Sequence, residues 1–371
     1  MKIKKSILFV ADKPDWAYEF MVRAWLPYIL GEYNCYVIFS EDYAIKRKAQ
    51  NNFFYRHFYN IYSSFKSNSS NSDQIKLHKQ GFFYKNFKNP PLYKYINANG
   101  DKQKANQPIN HFDLKIEMAF YFQYSSHFPF TADKNIVGVF TDTFPHDGPN
   151  FDSKKNFDRS VLNRQDFYEN YLAAYDHIIV GGGNLLKDYQ EITDKVSFVY
   201  GIYGEEKFQI NPNVGDNTGL TIGWTGTPDR PMKGFRDIIE PVVQELQKEG
   251  FNIELKTKFS GPYEELYSFY SDIDLVVIAS SADSGPSLYA ESCLSSVPVI
   301  STKVGLPLMG IKHNVNGRFI DRNKESLKQA IIELYNDRLF LKDFSKRVKT
   351  DYLETLGNDK TVSNILKILK D

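Results

Sequence analysis

Residues Asp274–Gly305, DLVVIASSADSGPSLYAESCLSSVPVISTKVG, decide how the chain folds. Leu275–Ala279 is the uninterrupted apolar run of a buried strand, and it stops at Ser280-Ser281. A loop carries Asp283, and Ser284-Gly285-Pro286-Ser287 opens a helix over Ser287–Leu294. Ser284 or Ser287 suits the N-cap, and Gly285 allows close backbone approach to a ligand. Glu291 lies about a turn further in. Pro298–Ser301 is the next strand, and strand, loop, helix, strand in this order make a parallel α/β unit. Free N–H groups at a helix N-terminus favour phosphate. A carboxylate beyond them can accept hydrogen bonds from a vicinal diol such as ribose. Phosphate oxygens and sugar hydroxyls together describe a nucleotide-sugar. The plain structural alternative is a capped helix with a solvent-facing Glu.

The alternation continues outward in both directions. Downstream of a polar, turn-rich segment, Asn211–Gly219, the pattern predicts strands at Leu220–Trp224 and Asn252–Thr257. It predicts helices within Gly234–Gly250 and over Tyr263–Tyr270, Lys324–Asn336, Leu339–Leu356 and Thr361–Leu369. Upstream, strands are expected at Ser6–Ala11, Cys35–Ser40, Met118–Tyr124, Ile136–Thr141, His177–Val180 and Val196–Tyr200. Helices are expected over Trp16–Leu30 and Ser160–Ala174. Phe20, Met21, Ala24, Trp25, Tyr28 and Ile29 form the apolar face of the first, with Trp16 read as core. Residues 44–110 break the pattern with polar, low-complexity sequence and many aromatics between Phe53 and Phe87, read as an insertion of short helices. The division is residues 1–210, 211–350 and a terminal 351–371. Two successive parallel α/β domains imply a cleft where ligands sit at the carboxyl ends of strands.

Composition narrows the function. The 371 residues suit two domains of ordinary size. Lys+Arg is 46 against Asp+Glu 45, which argues against a nucleic-acid partner. Two cysteines, Cys35 and Cys293, lie far apart in sequence with no nearby His or Cys partner, so neither a disulfide framework nor structural zinc is expected. No run reaches the ~20 apolar residues a membrane span needs. The apolar stretch Ile7–Val10 is too short for a signal peptide, so a cytoplasmic location is expected.

The Asp274–Gly305 stretch resembles the donor-site signature of family 4 glycosyltransferases with the GT-B fold, in which two acidic residues flank seven others. Asp283 takes the first acidic position and Glu291 the second. Val297–Gly305 and the turn Asn316-Gly317-Arg318-Phe319-Ile320 follow as they do in the family. A second match is Ile222–Phe235, IGWTGTPDRPMKGF, which resembles the strand, glycine loop, Lys-Gly and helix that open the family's second domain. Thr227 stands where an Arg usually follows the loop glycine, Gly226. More loosely, Ile7–Ala17 resembles the opening strand of a subset whose first loop is Asp-x-Pro-x-Trp, placing Asp15 and Trp16 toward donor or acceptor.

The resemblance implies an α/β GT-B architecture. Two Rossmann-like domains face a central cleft, and the C-terminal helix returns to the first domain. It implies that Glu291 holds the ribose hydroxyls and that Asp283, with its shorter reach, lies against the donor sugar. Gly226, Thr227, Ser284, Gly285, Pro286, Ser287 and Leu288 surround the nucleotide. Lys233 and Arg230 neutralise the departing diphosphate. His146, in Thr141–Gly148, and His127 fall after first-domain strands, and in the family such a His lies near the sugar. An inverting enzyme would need a base, for which Asp142, His146 or Asp147 would serve; a retaining one, which the family implies, needs none. Asp142, Asp147 and Asp152 lack calcium-loop spacing, and no metal or other cofactor is expected. The implied reaction moves a sugar from a nucleoside diphosphate sugar, expected to be a UDP-sugar, to a hydroxyl of a glycan, lipid-linked or protein acceptor in bacterial surface glycan synthesis. The aromatic insertion would serve peripheral contact at the inner membrane face. Two alternatives stand beside it: a non-catalytic subunit of a polysaccharide assembly complex, and a nucleotide-sugar epimerase or hydrolase.

Overall fold

Apolar runs become the central strands of two sheets. The computed structural model describes residues 4–39, 44–48, 82–87, 90–106, 109–118, 130–140 and 164–370. The chain divides into two units. Met1–Val180, Asp188–Ser197 and Leu366–Asp371 form the first; Gly181–Lys187 and Phe198–Ile365 form the second.

In the first unit β1 (Lys5–Ala11) leads through α1 (Ala17–Ile29) to β2 (Tyr33–Phe39), which pairs with β1 in parallel. Short strands follow, β3 (Ala44–Lys48), β4 (Phe82–Phe87), β5 (Tyr93–Tyr95) and β6 (Lys102–Lys104). β3 and β4 form an antiparallel pair, and β5 and β6 add an antiparallel edge beside β2. Among the described residues the expected insertion is therefore strand, not helix; Phe53, Phe54, Tyr55, Phe58, Tyr59 and Tyr62 lie outside them. β7 (His111–Glu117), β8 (Thr131–Val139) and β9 (His177–Val180) extend the other side of β1 in parallel. α2 (Arg164–Phe167) runs on into the wider turn Tyr168–Leu172. α3 (Gly183–Gln190), whose residues up to Lys187 are counted with the second unit, leads to β10 (Val196–Phe198), which completes the order β10-β9-β8-β7-β1-β2-β5-β6.

Of the strand expected at Met118–Tyr124, residues 119–124 lie outside the described ones. The strand described here is β7, which ends before Met118. Its polar residues disguise it. Asp113 accepts from the Ser6 N–H at 2.7 Å and from Ser6 Oγ at 2.8 Å, and buried Lys115 sits 3.0 Å from Glu117. Phe112, Leu114 and Ile116 fill the core between them. The buried face of α1 is Glu19, Val22, Trp25, Leu26 and Ile29, while Phe20 and Tyr28 face solvent and Trp16, expected in the core, is 52% exposed.

In the second unit β11 (Leu220–Thr225) is followed by the turns Pro231–Lys233 and Phe235–Ile239, then α4 (Glu240–Lys248) and β12 (Ile253–Lys258). α5 (Leu266–Phe269) leads to β13 (Leu275–Ile278), and α6 (Ser287–Leu294) to β14 (Val299–Ser301). α7 (Gly305–Gly310), β15 (Gly317–Phe319), α8 (Lys324–Asn336), α9 (Arg338–Leu356) and α10 (Asn358–Lys370) follow. The sheet order is β12-β11-β13-β14-β15, with every neighbouring pair parallel. Both faces are covered: Trp224, Phe235, Val277, Leu327 and Ile331 pack one core, and Tyr270, Tyr289, Leu294, Val348 and Tyr352 the other. That is why these strands read as continuous apolar runs. The chain steps from β11 outward to β12 and then back past β11 to β13. Such a reversal opens a crevice at the carboxyl ends of the two strands. Cys35 and Cys293 are buried free thiols. Among the described residues no helix is long and apolar enough to cross a membrane.

Candidate functional site

The site lies at the reversal point of the second sheet, between the loops that leave β11 and β13. After β11 the backbone passes Gly226 and Thr227, both exposed, and tightens into the turn Pro231–Lys233. Gly234 closes that turn with φ +69°, and a Cβ on it would lie 2.4 Å from the carbonyl oxygen of Ala279. Only glycine lets the turn rest on the end of β13. The Ser281 N–H donates to the Met232 carbonyl at 2.8 Å. Arg322 straps the two loops together, donating from Nε to Ala279 O at 3.1 Å and from Nη2 to Pro231 O at 2.9 Å. Nothing in the local sequence singles out Arg322, because its partners are backbone carbonyls from two other segments.

This clamp delivers Lys233 to Asp283, and Nζ forms an ion pair with Oδ2. The lysine side chain is 21% exposed and the aspartate 12%. Arg230 stays exposed on the outer side of the same turn, with Nη2 3.2 Å from Met232 Sδ.

The entry to α6 differs from the sequence expectation. Its N-cap is Pro286, and no side chain caps it, so neither Ser284 nor Ser287 does so. Ser284 Oγ is instead buried, with no hydrogen-bond partner among the described residues. An orphaned buried hydroxyl costs roughly 1–3 kcal/mol unless something meets it, and a ligand oxygen in this loop would do so. The space beside Gly285 is filled from within the protein: a Cβ there would lie 2.2 Å from the Tyr200 ring. The Tyr200 hydroxyl donates to the Gly285 carbonyl. Burial pushes the Tyr200 phenol pKa upward, and the nearby Asp283 and Glu291 carboxyls add to that push. The segment Tyr200-Gly201-Ile202-Tyr203-Gly204 therefore belongs to the surroundings of the loop that opens α6. Leu288 points into the core, so only its backbone is offered to a ligand.

Glu291 is buried on the inner side of α6. The Tyr270 hydroxyl donates to Oε2 at 2.7 Å and itself lies 3.3 Å from Thr225 Oγ1 at the end of β11. Tyr263 brings a second hydroxyl near the carboxyl. Burial pushes the Glu291 carboxyl up to about 7, and the two tyrosine hydroxyls pull the other way. The solvent-facing Glu of the plain alternative is thus excluded. His127, Asp142, His146, Asp147 and Asp152 lie outside the described residues. Among the described residues no group of three His, Cys, Asp or Glu side chains converges as a metal site.

Residues 240–351, all within the second unit, match the family model of Glycosyl transferases group 1. The matched stretch contains Asp283 and Glu291 and begins after Lys233. Among curated proteins none matches the chain by sequence. Solved structures match by shape. TarM superposes with a TM-score of 0.60 at 12% identity, covering 100% of this chain and 99% of TarM. Anabaena HepE, in complex with UDP and glucose, gives 0.57 at 11% identity, covering 99% of this chain and 100% of HepE. A TarM variant from S. aureus, in complex with fondaparinux, alpha-GlcNAc-glycerol and UDP, gives 0.55 at 15% identity. That match covers 78% of this chain and spans 64% of the variant's length. The fold is that of the GT-B glycosyltransferases, and the family match lies within the second unit.

Proposed function

We propose that the protein transfers a sugar from a nucleoside diphosphate sugar to an acceptor hydroxyl, and that the donor binds at the reversal point of the second sheet. The observation that carries this reading is the clamp that sets Lys233, Asp283 and the orphaned Ser284 hydroxyl together at the carboxyl ends of β11 and β13. Lys233 is the cation for the leaving diphosphate, and Ser284 Oγ and the uncapped start of α6 meet phosphate or sugar oxygens. Glu291 accepts from the ribose diol, which has to share the carboxyl with Tyr270. The UDP-containing neighbours favour a uridine nucleotide. Retention follows the family resemblance, as does a place in bacterial surface glycan synthesis, and no metal is required.

A thermal-shift series with UDP, GDP, CMP and their sugars, with and without magnesium, tests this. A ligand at a hundredfold excess over Kd stabilises the folded state by about 2.7 kcal/mol. One nucleoside diphosphate should raise Tm by several degrees in the wild type and leave Glu291→Ala and Lys233→Ala unmoved. A shift that survives both substitutions would place the nucleotide elsewhere.

A further inference from the structure

Resting on the nucleotide-sugar reading, we infer that Asp283 acts as the counter-ion of Lys233, holding the lysine in place before the donor arrives and weakening the hold on the diphosphate after the sugar has left. The family resemblance puts an acid at this position against the donor sugar. In this chain the Asp283 carboxylate is paired with Lys233 Nζ, and both side chains are largely withdrawn from water.

The pairing is built into the backbone. Gly234 seats the Lys233 turn on Ala279, Ser281 bonds Met232, and Arg322 ties Pro231 to Ala279. Neither loop can move without breaking these bonds, so the ammonium and the carboxylate stay neighbours when a ligand enters. An ammonium has three donors and can serve a carboxylate and a phosphate together. The two anions then lie on opposite sides of one cation, close enough in a partly dry site to repel each other. While the diphosphate remains esterified to sugar it carries less negative charge. Once transfer has occurred its terminal phosphate gains charge, and the repulsion from Asp283 grows. Asp283 thus orients Lys233 and favours release of the nucleoside diphosphate, as a positioning residue acting through the lysine.

Calorimetric titration of the full chain separates this role from a sugar contact, because UDP has no sugar. Asp283→Asn should bind UDP about tenfold more tightly than the wild type, with a smaller gain for UDP-glucose. Asp283→Glu, which keeps the charge, should bind UDP as the wild type does. Asp283→Ala provides a second neutral variant should the amide disturb folding, and Tm reports the folding of each. Unchanged UDP affinity in both neutral variants, with loss confined to UDP-glucose, would overturn the inference in favour of a sugar contact. Weaker UDP binding in both would overturn it too, showing that Lys233 needs the carboxylate to bind at all. In either case UDP binding that Lys233→Ala abolishes would leave the nucleotide site standing. UDP binding indifferent to Lys233→Ala, or no binding of UDP, GDP or ADP by the wild type, would remove the site and the inference together.

Discussion

Glu19 in the first unit and Glu291 in the second both sit in or beside the first turns of a helix that follows a central strand, with exposures of 0% and 2%. Their surroundings differ. Glu19 Oε1 meets Lys102 Nζ at 2.5 Å, Tyr95 Oη at 3.1 Å and Arg23 Nη2 at 3.3 Å, and Oε2 accepts the Asp15 N–H at 2.7 Å. Two cations and two further donors satisfy that charge. Glu291 accepts from the Tyr270 hydroxyl, and among the described residues no cation is paired with it. Burying a carboxylate without a counter-ion is unfavourable. The fold supplies two cations to one buried glutamate and, among the described residues, none to the other.

The comparison breaks first at Glu19. Glu19→Ala leaves Lys102 without its anion, Tyr95 without its acceptor and Arg23 with Asp15 alone. Because both cations keep some exposure, the loss belongs at the lower end of the range for breaking a buried pair, about 3 kcal/mol. Urea denaturation should show it as a lower midpoint with an unchanged slope. A loss under about 1 kcal/mol would mean the cluster is not the anchor of the loop after β1.

Glu291 should behave in the opposite sense. Its carboxyl rises from an ordinary 4.5 to about 7 in the folded chain. Between those values the folded chain binds the proton more tightly than the unfolded chain. Stability contributed by this group is therefore full at low pH, falls as pH rises from about 4.5 to 7, and is flat above. Between pH 5 and 8 the wild type should lose about 2 kcal/mol that Glu291→Gln does not lose. The measurement is the difference between the two urea-derived stability curves, which cancels the other titrating groups. Parallel curves would show that Glu291 is hydrated or paired after all.

What the sequence shows and hides follows the same physics. β13 and α6 are legible because a strand covered on both faces must be apolar, and its loop to the next helix must be small and polar; Leu275–Ile278 and Ser287–Leu294 satisfy both demands locally. β7 is not legible, because Asp113 and Lys115 are satisfied by Ser6 and Glu117, and a polar residue with a partner folds like an apolar one. At the site, the types and positions of Lys233, Asp283 and Glu291 can be read, but their partners cannot. Asp283 turns to Lys233, Glu291 turns to Tyr270, and Gly285 makes room for Tyr200, each across a stretch of chain that no local spacing connects. Arg322 is hidden for the same reason.

The smallest expected effect sharpens the contrast from the side of Glu19. Trp16 stands at the start of α1, half exposed, with Lys13 Nζ 3.3 Å from its ring centre. An exposed cation–ring contact contributes about 0.5–1 kcal/mol at most, and removing an exposed aromatic leaves no cavity. Trp16→Ala should therefore change stability by about 0.5 kcal/mol, although Glu19 is only one turn away. The other two tryptophans, Trp25 and Trp224, are buried at 1% and 2% exposure, so Trp16 should account for nearly all the iodide-quenchable fluorescence and the variant should lose it. A small stability change with a large loss of quenching would show that this loop is held from beneath by the carboxylate and leaves its aromatic ring free on the surface. A stability loss approaching that of Glu19→Ala would instead make the ring part of the anchor.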